Sequence, residues 1–116
     1  MKIEIPLKLP SLNEYIAFCR YNKYSANKEK QSVQNDIAIF LKKLPKLKTP
    51  IKINFTWVEK DKRRDLDNVA FAKKYILDCL VKLEKIEDDG QKYVIGFTDS
   101  FKYDKENKVI LEIIEC

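Results

Sequence analysis

The sequence predicts an α+β fold, a single layer pair in which a mixed sheet carries two helices on one face. Apolar and polar residues alternate with the period of a half-buried strand at Met1–Leu9 and again at Ile51–Val58. Each segment is followed by residues with apolar spacings of three and four, the period of an amphipathic helix. Two further strand-like segments end the chain, so the predicted order is β-α-β-α-β-β.

The first half of the chain is predicted to contain one strand and one helix. The strand ends at Pro10, and we expect Ser11–Asn13 to form a turn or short cap. Cys19–Lys30 is polar and aperiodic, and is predicted to be a loop that leads into the helix. The helix is predicted to begin near Ser25 and to end near Leu44. Its core-facing stripe consists of Val33, Ile37, Phe40, Leu41 and Leu44.

The second half is predicted to contain a strand, a helix and a hairpin. Odd-numbered residues of Ile51–Val58 should face the core, and the helix is expected at Leu66–Leu83, before a turn at Ile86–Gly90. The buried stripe of this helix consists of Val69, Ala72, Ile76, Cys79, Leu80 and Leu83. The closing hairpin comprises Lys92–Thr98, a loop of residues 99–107 and Lys108–Ile114. A chain of 116 residues accommodates one domain, which we assign to residues 1–116.

Charge is unevenly distributed along the chain, whose net charge is +5. Up to Arg64, 15 lysines and arginines stand against 6 acidic residues, and from Asp65 onward 8 stand against 12. The basic first half predicts contact with a polyanion such as nucleic acid, and the acidic second half predicts a local acidic site. A solvated, lysine-rich surface is the alternative interpretation.

The residue types present exclude several kinds of chemistry. The chain has no histidine, which excludes Ser-His-Asp triads, Cys-His dyads and histidine-ligated zinc. The cysteines are far apart and lack CxxC spacing, which argues against a zinc site or disulfide framework and indicates a reducing, cytoplasmic environment. No apolar run approaches the ~20 residues of a membrane span, and the N-terminus lacks the apolar core of a signal peptide.

An acidic pair directly follows a run of cations, at Arg63-Arg64-Asp65-Leu66-Asp67. If the chain is extended there, both carboxylates point the same way and Leu66 points into the core. Two convergent carboxylates without a nearby histidine or thiolate suit a hard cation such as Mg²⁺ or Mn²⁺. The alternative is that an aspartate only caps the following helix, which is the commonest use of aspartate at such a position.

A continuous second helix would place Lys74 and Asp78 on the same line as Asp67. At 100° per residue, Lys74 lands about 20° from Asp67, whereas Lys73 points about 120° away. Lys74 would reach back toward Asp67, and Asp78 would hold its ammonium group one turn below. The alternative is a solvent-exposed i,i+4 pair.

A second acidic pair, Asp88-Asp89, follows the far end of the same helix. Asp89 reaches Asp67 only if the strand that starts near Gln91 folds back alongside. Otherwise Asp88, Asp89 and Gly90 form only a turn, for which these residue types are usual.

Three pieces of the chain, in order, resemble the RusA family of Holliday junction resolvases, which are small phage and prophage endonucleases. The pieces are Arg64-Asp65-Leu66-Asp67-Asn68, Lys74 through Asp78-Cys79-Leu80, and Asp88-Asp89-Gly90-Gln91. Pro10–Asn13 is also similar to the family's opening. The family's lysine usually stands four residues after the second aspartate, where this chain has Phe71. Counting back from Asp78 selects Lys74, with Lys73 as the alternative.

The resemblance implies a RusA-like fold and a Mg²⁺-dependent, structure-selective endodeoxyribonuclease that resolves Holliday junctions in DNA recombination and repair. Asp65, Asp67 and Asp89 would ligate the metal, for which Mn²⁺ is the alternative. Lys74 would stabilise the phosphate or position the attacking water. Supporting roles fall to Asn68, Asp78 and Asp88. Contacts with DNA fall to Lys60, Lys62, Arg63 and Arg64.

The resemblance also implies the partners of the chain. A four-way junction is nearly two-fold symmetric and is cut on two opposed strands, so a chain with one acidic site implies a C₂ homodimer. An exposed edge from the last two strands, or Trp57, is the expected contact. The first alternative function is a non-catalytic protein that binds branched or duplex DNA. The second is a metal-dependent enzyme that acts on another phosphate substrate.

Overall fold

A computed structural model describes the backbone of residues 1–116 and every side chain except that of Lys23. The predicted α+β class is confirmed, but the order of elements is β-α-α-β-α-α-β-β. The strands are β1 (Lys2–Ile5), β2 (Ile51–Glu59), β3 (Val94–Tyr103) and β4 (Lys108–Glu115). The helices are α1 (Leu12–Tyr21), α2 (Lys23–Leu41), the five-residue α3 (Leu66–Ala70) and α4 (Lys73–Lys82).

The four strands form one mixed sheet, as predicted, in the order β1-β4-β2-β3. β4 is antiparallel to both β1 and β2, whereas β3 runs parallel to β2. The predicted hairpin is therefore wrong, because β2 lies between β3 and β4 and residues 99–103 belong to β3. α3 and α4 belong to the crossover connection that a parallel pair of strands requires.

The core lies between one face of this sheet and the helices. The predicted inward residues of β2 are all buried, namely Ile51, Ile53, Phe55 and Trp57. The predicted helix stripes are also confirmed at their centres, where Ile37, Leu41, Ile76, Cys79 and Leu80 are buried. Trp57 is therefore not available as a contact between subunits. Within the part of the chain that the structure describes, no helix is long and apolar enough to cross a membrane.

The start of α1 is encoded by a local motif that the apolar period does not reveal. Ser11 Oγ accepts a hydrogen bond from the backbone N–H of Glu14 (3.3 Å), and Glu14 Oε1 accepts one from the backbone N–H of Ser11 (3.4 Å). This reciprocal pair is a capping box. Leu12, Tyr15, Ile16 and Cys19 have the apolar spacing of an amphipathic helix, although none of the ten residues of α1 is fully buried. The predicted short cap is confirmed at Ser11, but the predicted loop at Cys19–Lys30 is wrong, because α1 extends to Tyr21 and α2 begins at Lys23.

α2 begins slightly earlier than predicted because Asn22, rather than Ser25, is its N-cap. The Oδ1 atom of Asn22 accepts a hydrogen bond of 2.7 Å from the backbone N–H of Ser25. The helix ends at Leu41 instead of Leu44, which stays buried in the connection to β2.

The predicted helix at Leu66–Leu83 is interrupted at Phe71 and Ala72, between α3 and α4. Backbone i→i+3 hydrogen bonds of 3.1–3.2 Å occur here, donated by Ala72 to Val69, by Lys74 to Phe71 and by Tyr75 to Ala72. A 3₁₀ turn rotates by about 120° per residue rather than 100°. The helical phase assumed between Asp67 and Lys74 is therefore wrong.

The hydroxyl of Tyr75, in α4, is buried without a hydrogen-bond partner among the described residues. The rings of Tyr15 and Phe71 pack against the ring of Tyr75, with centroid distances of 6.3 and 6.1 Å. Desolvation by burial raises the pKa of Tyr75 from 10.0 to about 12. In the unfolded chain this hydroxyl is hydrogen-bonded to water, and folding removes those bonds without replacing them. Burial of the hydroxyl therefore destabilises the folded protein.

Tyr75→Phe is expected to raise the free energy of unfolding at pH 7 by about 1 kcal/mol, because it removes an unsatisfied buried group. The phenol ionises near pH 10 when unfolded but near 12 when folded, so wild-type stability falls between these values. The stability of Tyr75→Phe should not show the part of this decrease that is caused by ionisation of Tyr75. Urea denaturation at pH 7 and pH 11 measures both effects, with Tyr24→Phe, at an exposed tyrosine, as the matched control. A less stable Tyr75→Phe would show that the hydroxyl has a partner.

Candidate active site

An open cleft of about 580 Å³ lies where the junction of α3 and α4 faces β3. Two carboxylates and two ammonium groups line it, in otherwise apolar surroundings. The lining residues are Leu12, Leu66, Asp67, Ala70, Phe71, Lys73, Lys74, Asp99 and Phe101. The cleft therefore contains Asp67 and both candidate lysines.

The acidic pair Asp65 and Asp67 is exposed at the start of α3. Asp65 is the N-cap residue in extended conformation, but its side chain makes no capping hydrogen bond. One oxygen of Asp67, Oδ1, accepts a 3.0 Å hydrogen bond from the backbone N–H of Asn68. Leu66 is 50% exposed and lines the cleft, so the prediction that it points into the core is wrong. The reason is that it is the first residue of α3 and not part of an extended segment.

The second carboxylate of the cleft belongs to Asp99, in the middle of β3. Trp57 Nε1 donates a 2.8 Å hydrogen bond to Asp99 Oδ1, and Lys73 Nζ donates one of 2.6 Å to Asp99 Oδ2. Lys73 Nζ also lies over the rings of Phe97 and Phe55, at 5.0 and 5.6 Å from their centroids. Lys73 is thus held in place on several sides.

Lys74 makes the predicted pair with Asp78, at 3.6 Å between Nζ and Oδ1. Asp78 also binds Lys30, whose Nζ lies 3.0 Å from Oδ2. The side chain of Lys74 is 60% exposed, against 23% for that of Lys73. Both lysines line the cleft with Asp67, so proximity alone does not choose between them.

Asp88 and Asp89 line a different depression, of about 470 Å³, with Lys74 and Asp78 among its other residues. The direction of β3 explains why Asp88 and Asp89 lie apart from the cleft that contains Asp67. β3 does return alongside β2, but in parallel, so its first residue Val94 pairs with Ile51 at the start of β2. The acidic pair at residues 65 and 67 instead follows the end of β2. The middle of β3, and not the turn before it, therefore contributes to the cleft.

The predicted metal-ligand set of Asp65, Asp67 and Asp89 does not form one cluster in a single chain. Among the described residues, no three acidic or cysteine side chains lie close enough together to hold a metal ion. Asp67 and Asp99 are the carboxylates of the cleft. Both oxygens of Asp99 are hydrogen-bonded to Trp57 and Lys73, which leaves Asp67 as the carboxylate for a cation. One carboxylate still fits Mg²⁺, which commonly keeps several waters and completes its octahedron with substrate phosphate oxygens.

Arg64 differs from the predicted phosphate contact because its guanidinium group is engaged inside the protein. Its Nε and Nη2 atoms donate to the two carboxylate oxygens of Glu59, at 2.7 and 2.9 Å. Its Nη1 atom donates to the carbonyl oxygen of Leu9 at 2.8 Å and lies 3.4 Å from Glu14 Oε1. Arg64 therefore ties the end of β2 to the β1–α1 connection and to α1.

The other predicted DNA contacts are accessible. The side chain of Arg63 is 89% exposed, and its nearest partner is Asp61, 3.7 Å away. Lys60 and Lys62 are exposed, and Lys62 Nζ lies over the ring of Tyr103 at 5.1 Å. These three cations precede α3 and remain candidates for contact with a DNA backbone.

Sequence reasoning missed Asp99 and Trp57 because it assigned residue 99 to a loop. The pairing of Phe55 with Asp99 is a tertiary contact, and nothing in the local sequence indicates it. In comparisons with known proteins, no protein-family model matches this chain, and no curated protein sequence matches it significantly.

Proposed function

We propose that this chain is a Mg²⁺-dependent, structure-selective endodeoxyribonuclease that cuts four-way DNA junctions, as its resemblance to the RusA family implies. The observation that carries the proposal is the shared cleft of Asp67, Asp99, Lys73 and Lys74. Carboxylates beside a DNA surface repel phosphate unless a cation lies between them. Their combination with lysines in a chain of net charge +5 is what a metal-assisted phosphodiesterase needs.

Each residue of the cleft has a distinct part in the proposed reaction. Asp67 would hold the cation, and Asp99, whose oxygens accept hydrogen bonds from Trp57 and Lys73, would hold Lys73. A bound Mg²⁺ supplies Lewis acidity at the phosphate oxygen and favours deprotonation of the attacking water. The water oxygen bonds to phosphorus, one phosphorus–oxygen ester bond breaks, and the leaving oxygen takes up a proton. The cleft lysines offset the negative charge that grows on the phosphate.

The proposal includes a C₂ homodimer, since two opposed strands of a junction must be cut. β3 is an edge strand of ten residues, and its outer backbone groups have no strand partner within the described chain. Three large apolar side chains of β3 are exposed, namely Ile95, Phe97 and Tyr103. An edge of this kind can pair with a second copy.

A specific observation favours the alternative, a protein that binds branched or duplex DNA without cutting it. Both oxygens of Asp99 are already hydrogen-bonded within the protein, and a third acidic residue is missing from the described cleft. In that case Asp99 would serve only to hold Lys73 on a basic surface.

Incubation of the purified chain with a labelled synthetic four-way junction distinguishes the two functions. We expect nicks that need Mg²⁺ or Mn²⁺, that fall at related positions in opposed strands, and that are much rarer in linear duplex of the same sequence. Binding in EDTA should weaken steeply as salt rises, because phosphate contacts release counterions. Tight binding without nicks at any metal concentration would establish the binding protein instead.

A further inference from the structure

We propose that Lys73 is the residue that contacts the substrate phosphate in the cleft, and that Asp99 and Trp57 position it. This inference rests on the proposed nuclease function and goes beyond it, because it assigns roles to two residues outside the motif. It also selects Lys73 over Lys74.

The position of Asp99 is set by the sheet. Asp99 pairs with Phe55 in the parallel ladder, and Trp57 follows two residues later on the same face of β2. Trp57 is 3% exposed and its ring stacks on that of Phe55 at 5.3 Å. Its indole N–H donates to Asp99 Oδ1 at 2.8 Å. A rigid core residue therefore orients this carboxylate and leaves Oδ2 facing Lys73.

Lys73 is held by Asp99 before any substrate arrives. Its ammonium group lies 2.6 Å from Asp99 Oδ2 and rests over the rings of Phe55 and Phe97. A lysine held in this way loses less rotamer freedom on binding a ligand than a mobile one. One of its three N–H donors is used by Asp99, which leaves two for a phosphate. Lys74 is more exposed and is paired with Asp78 on the other side.

Three backbone donors near the start of α4 are already used within the protein. The N–H groups of Lys74, Tyr75 and Ile76 donate to Phe71 and Ala72 carbonyls of the preceding turn. They are not free to bind a phosphate, as the N–H groups of an isolated helix start would be. Positive donors in the cleft are thus the two ammonium groups, and Lys73 is the one with a fixed position.

Stability alone does not explain the pair of Lys73 and Asp99. An ion pair of partly exposed side chains contributes little to folding. An apolar residue at position 73 would cover the rings of Phe55 and Phe97 without bringing a charge near them. A charged pair in this place is therefore better explained by a ligand that needs the cation.

Single-turnover nicking of the junction at saturating protein tests the assignment. Lys73→Ala is expected to lower the rate by roughly 100-fold, and Lys73→Arg to recover part of it, because one preorganised donor to a developing charge has an effect of this size. Asp99→Asn and Trp57→Phe should lower the rate by roughly 10-fold, because Lys73 is present but no longer held. Lys74→Ala should lower the nicking rate by less than Lys73→Ala does. Lys105→Ala, in the exposed β3–β4 turn, is the neutral control.

Junction affinity in EDTA and thermal unfolding separate a substrate contact from a structural role. Lys73→Ala should weaken binding by only about 5-fold, the scale of one lost phosphate contact, with the melting temperature little changed. A larger rate loss for Lys74→Ala, or wild-type rates for Asp99→Asn, would overturn the inference while leaving the nuclease intact. If the wild type does not nick, the proposed function fails. Junction affinity then tests the phosphate contact of Lys73 by itself. Equal junction affinities of Lys73→Ala and Lys105→Ala would refute that contact as well.

Discussion

Asp67→Asn is expected to lower the single-turnover rate of junction nicking by at least about 100-fold, equivalent to about 2.7 kcal/mol of transition-state stabilisation. Asp67 is the motif aspartate that lines the cleft, and an amide is a much weaker ligand for Mg²⁺ than a carboxylate. The side chain is exposed and makes one local hydrogen bond. The variant should therefore keep the stability of the wild type, and junction affinity in EDTA should not fall.

Asp89→Asn is the informative comparison, because the resemblance assigns Asp89 to the metal whereas the single chain places it in another depression. We expect a smaller loss from Asp89→Asn than from Asp67→Asn. Asp104→Asn, in the exposed turn before β4, controls for the loss of one negative charge. Equal losses at Asp67 and Asp89 would mean that Asp89 enters the site by a rearrangement or from a second subunit.

Arg64→Ala is expected to have the largest effect on stability, a loss of about 3 kcal/mol in the free energy of unfolding. Its guanidinium group forms a bidentate pair with Glu59, and their side chains are 16% and 13% exposed. Removal of Arg64 leaves a largely buried carboxylate unpaired and frees the carbonyl oxygen of Leu9. Urea denaturation at neutral pH, with the wild-type slope as a check on two-state behaviour, measures the loss.

The adjacent Arg63 provides a matched control for Arg64. Its side chain is 89% exposed, so Arg63→Ala should change stability by less than about 0.5 kcal/mol. The loss of unfolding free energy in Arg64→Lys should lie between those of Arg63→Ala and Arg64→Ala, because lysine keeps the charge but loses the bidentate geometry. A stable Arg64→Ala with reduced nicking would instead support the predicted contact of Arg64 with the DNA backbone.

Elements whose apolar pattern is local could be predicted from the sequence. β2 alternates from Ile51 to Trp57, and the stripe of α2 contains Ile37 and Leu41 at helical spacing, so both are found close to their predicted places. α1 was missed although its signals are local, namely the capping box of Ser11 and Glu14 and the apolar spacing of Leu12, Tyr15, Ile16 and Cys19. The break at Phe71 and Ala72 does not interrupt the apolar pattern, so only the 3₁₀ hydrogen bonds of the folded chain reveal it.

The candidate site could be predicted only where its residues are neighbours along the chain. Asp67, Lys73 and Lys74 lie close together along the chain, so the motif finds them although a break separates α3 from α4. The identity of the second carboxylate in the cleft depends on strand direction, which spacing does not determine. Because β3 is parallel to β2, Asp99 in its middle reaches the cleft, and Asp89 before its start does not. Residue spacing along the chain is compatible with both outcomes.

The most direct test of the central claim, that the cleft between α3, α4 and β3 is the active site, is paramagnetic NMR with Mn²⁺. Backbone amide signals of the chain bound to junction DNA with a non-hydrolysable linkage would be recorded while Mn²⁺ is added. We predict that signals of Asp67, Asn68 and Asp99 broaden first, and that Asp67→Asn abolishes this broadening. Broadening centred on Asp88 and Asp89, with the cleft signals unaffected, would contradict the account.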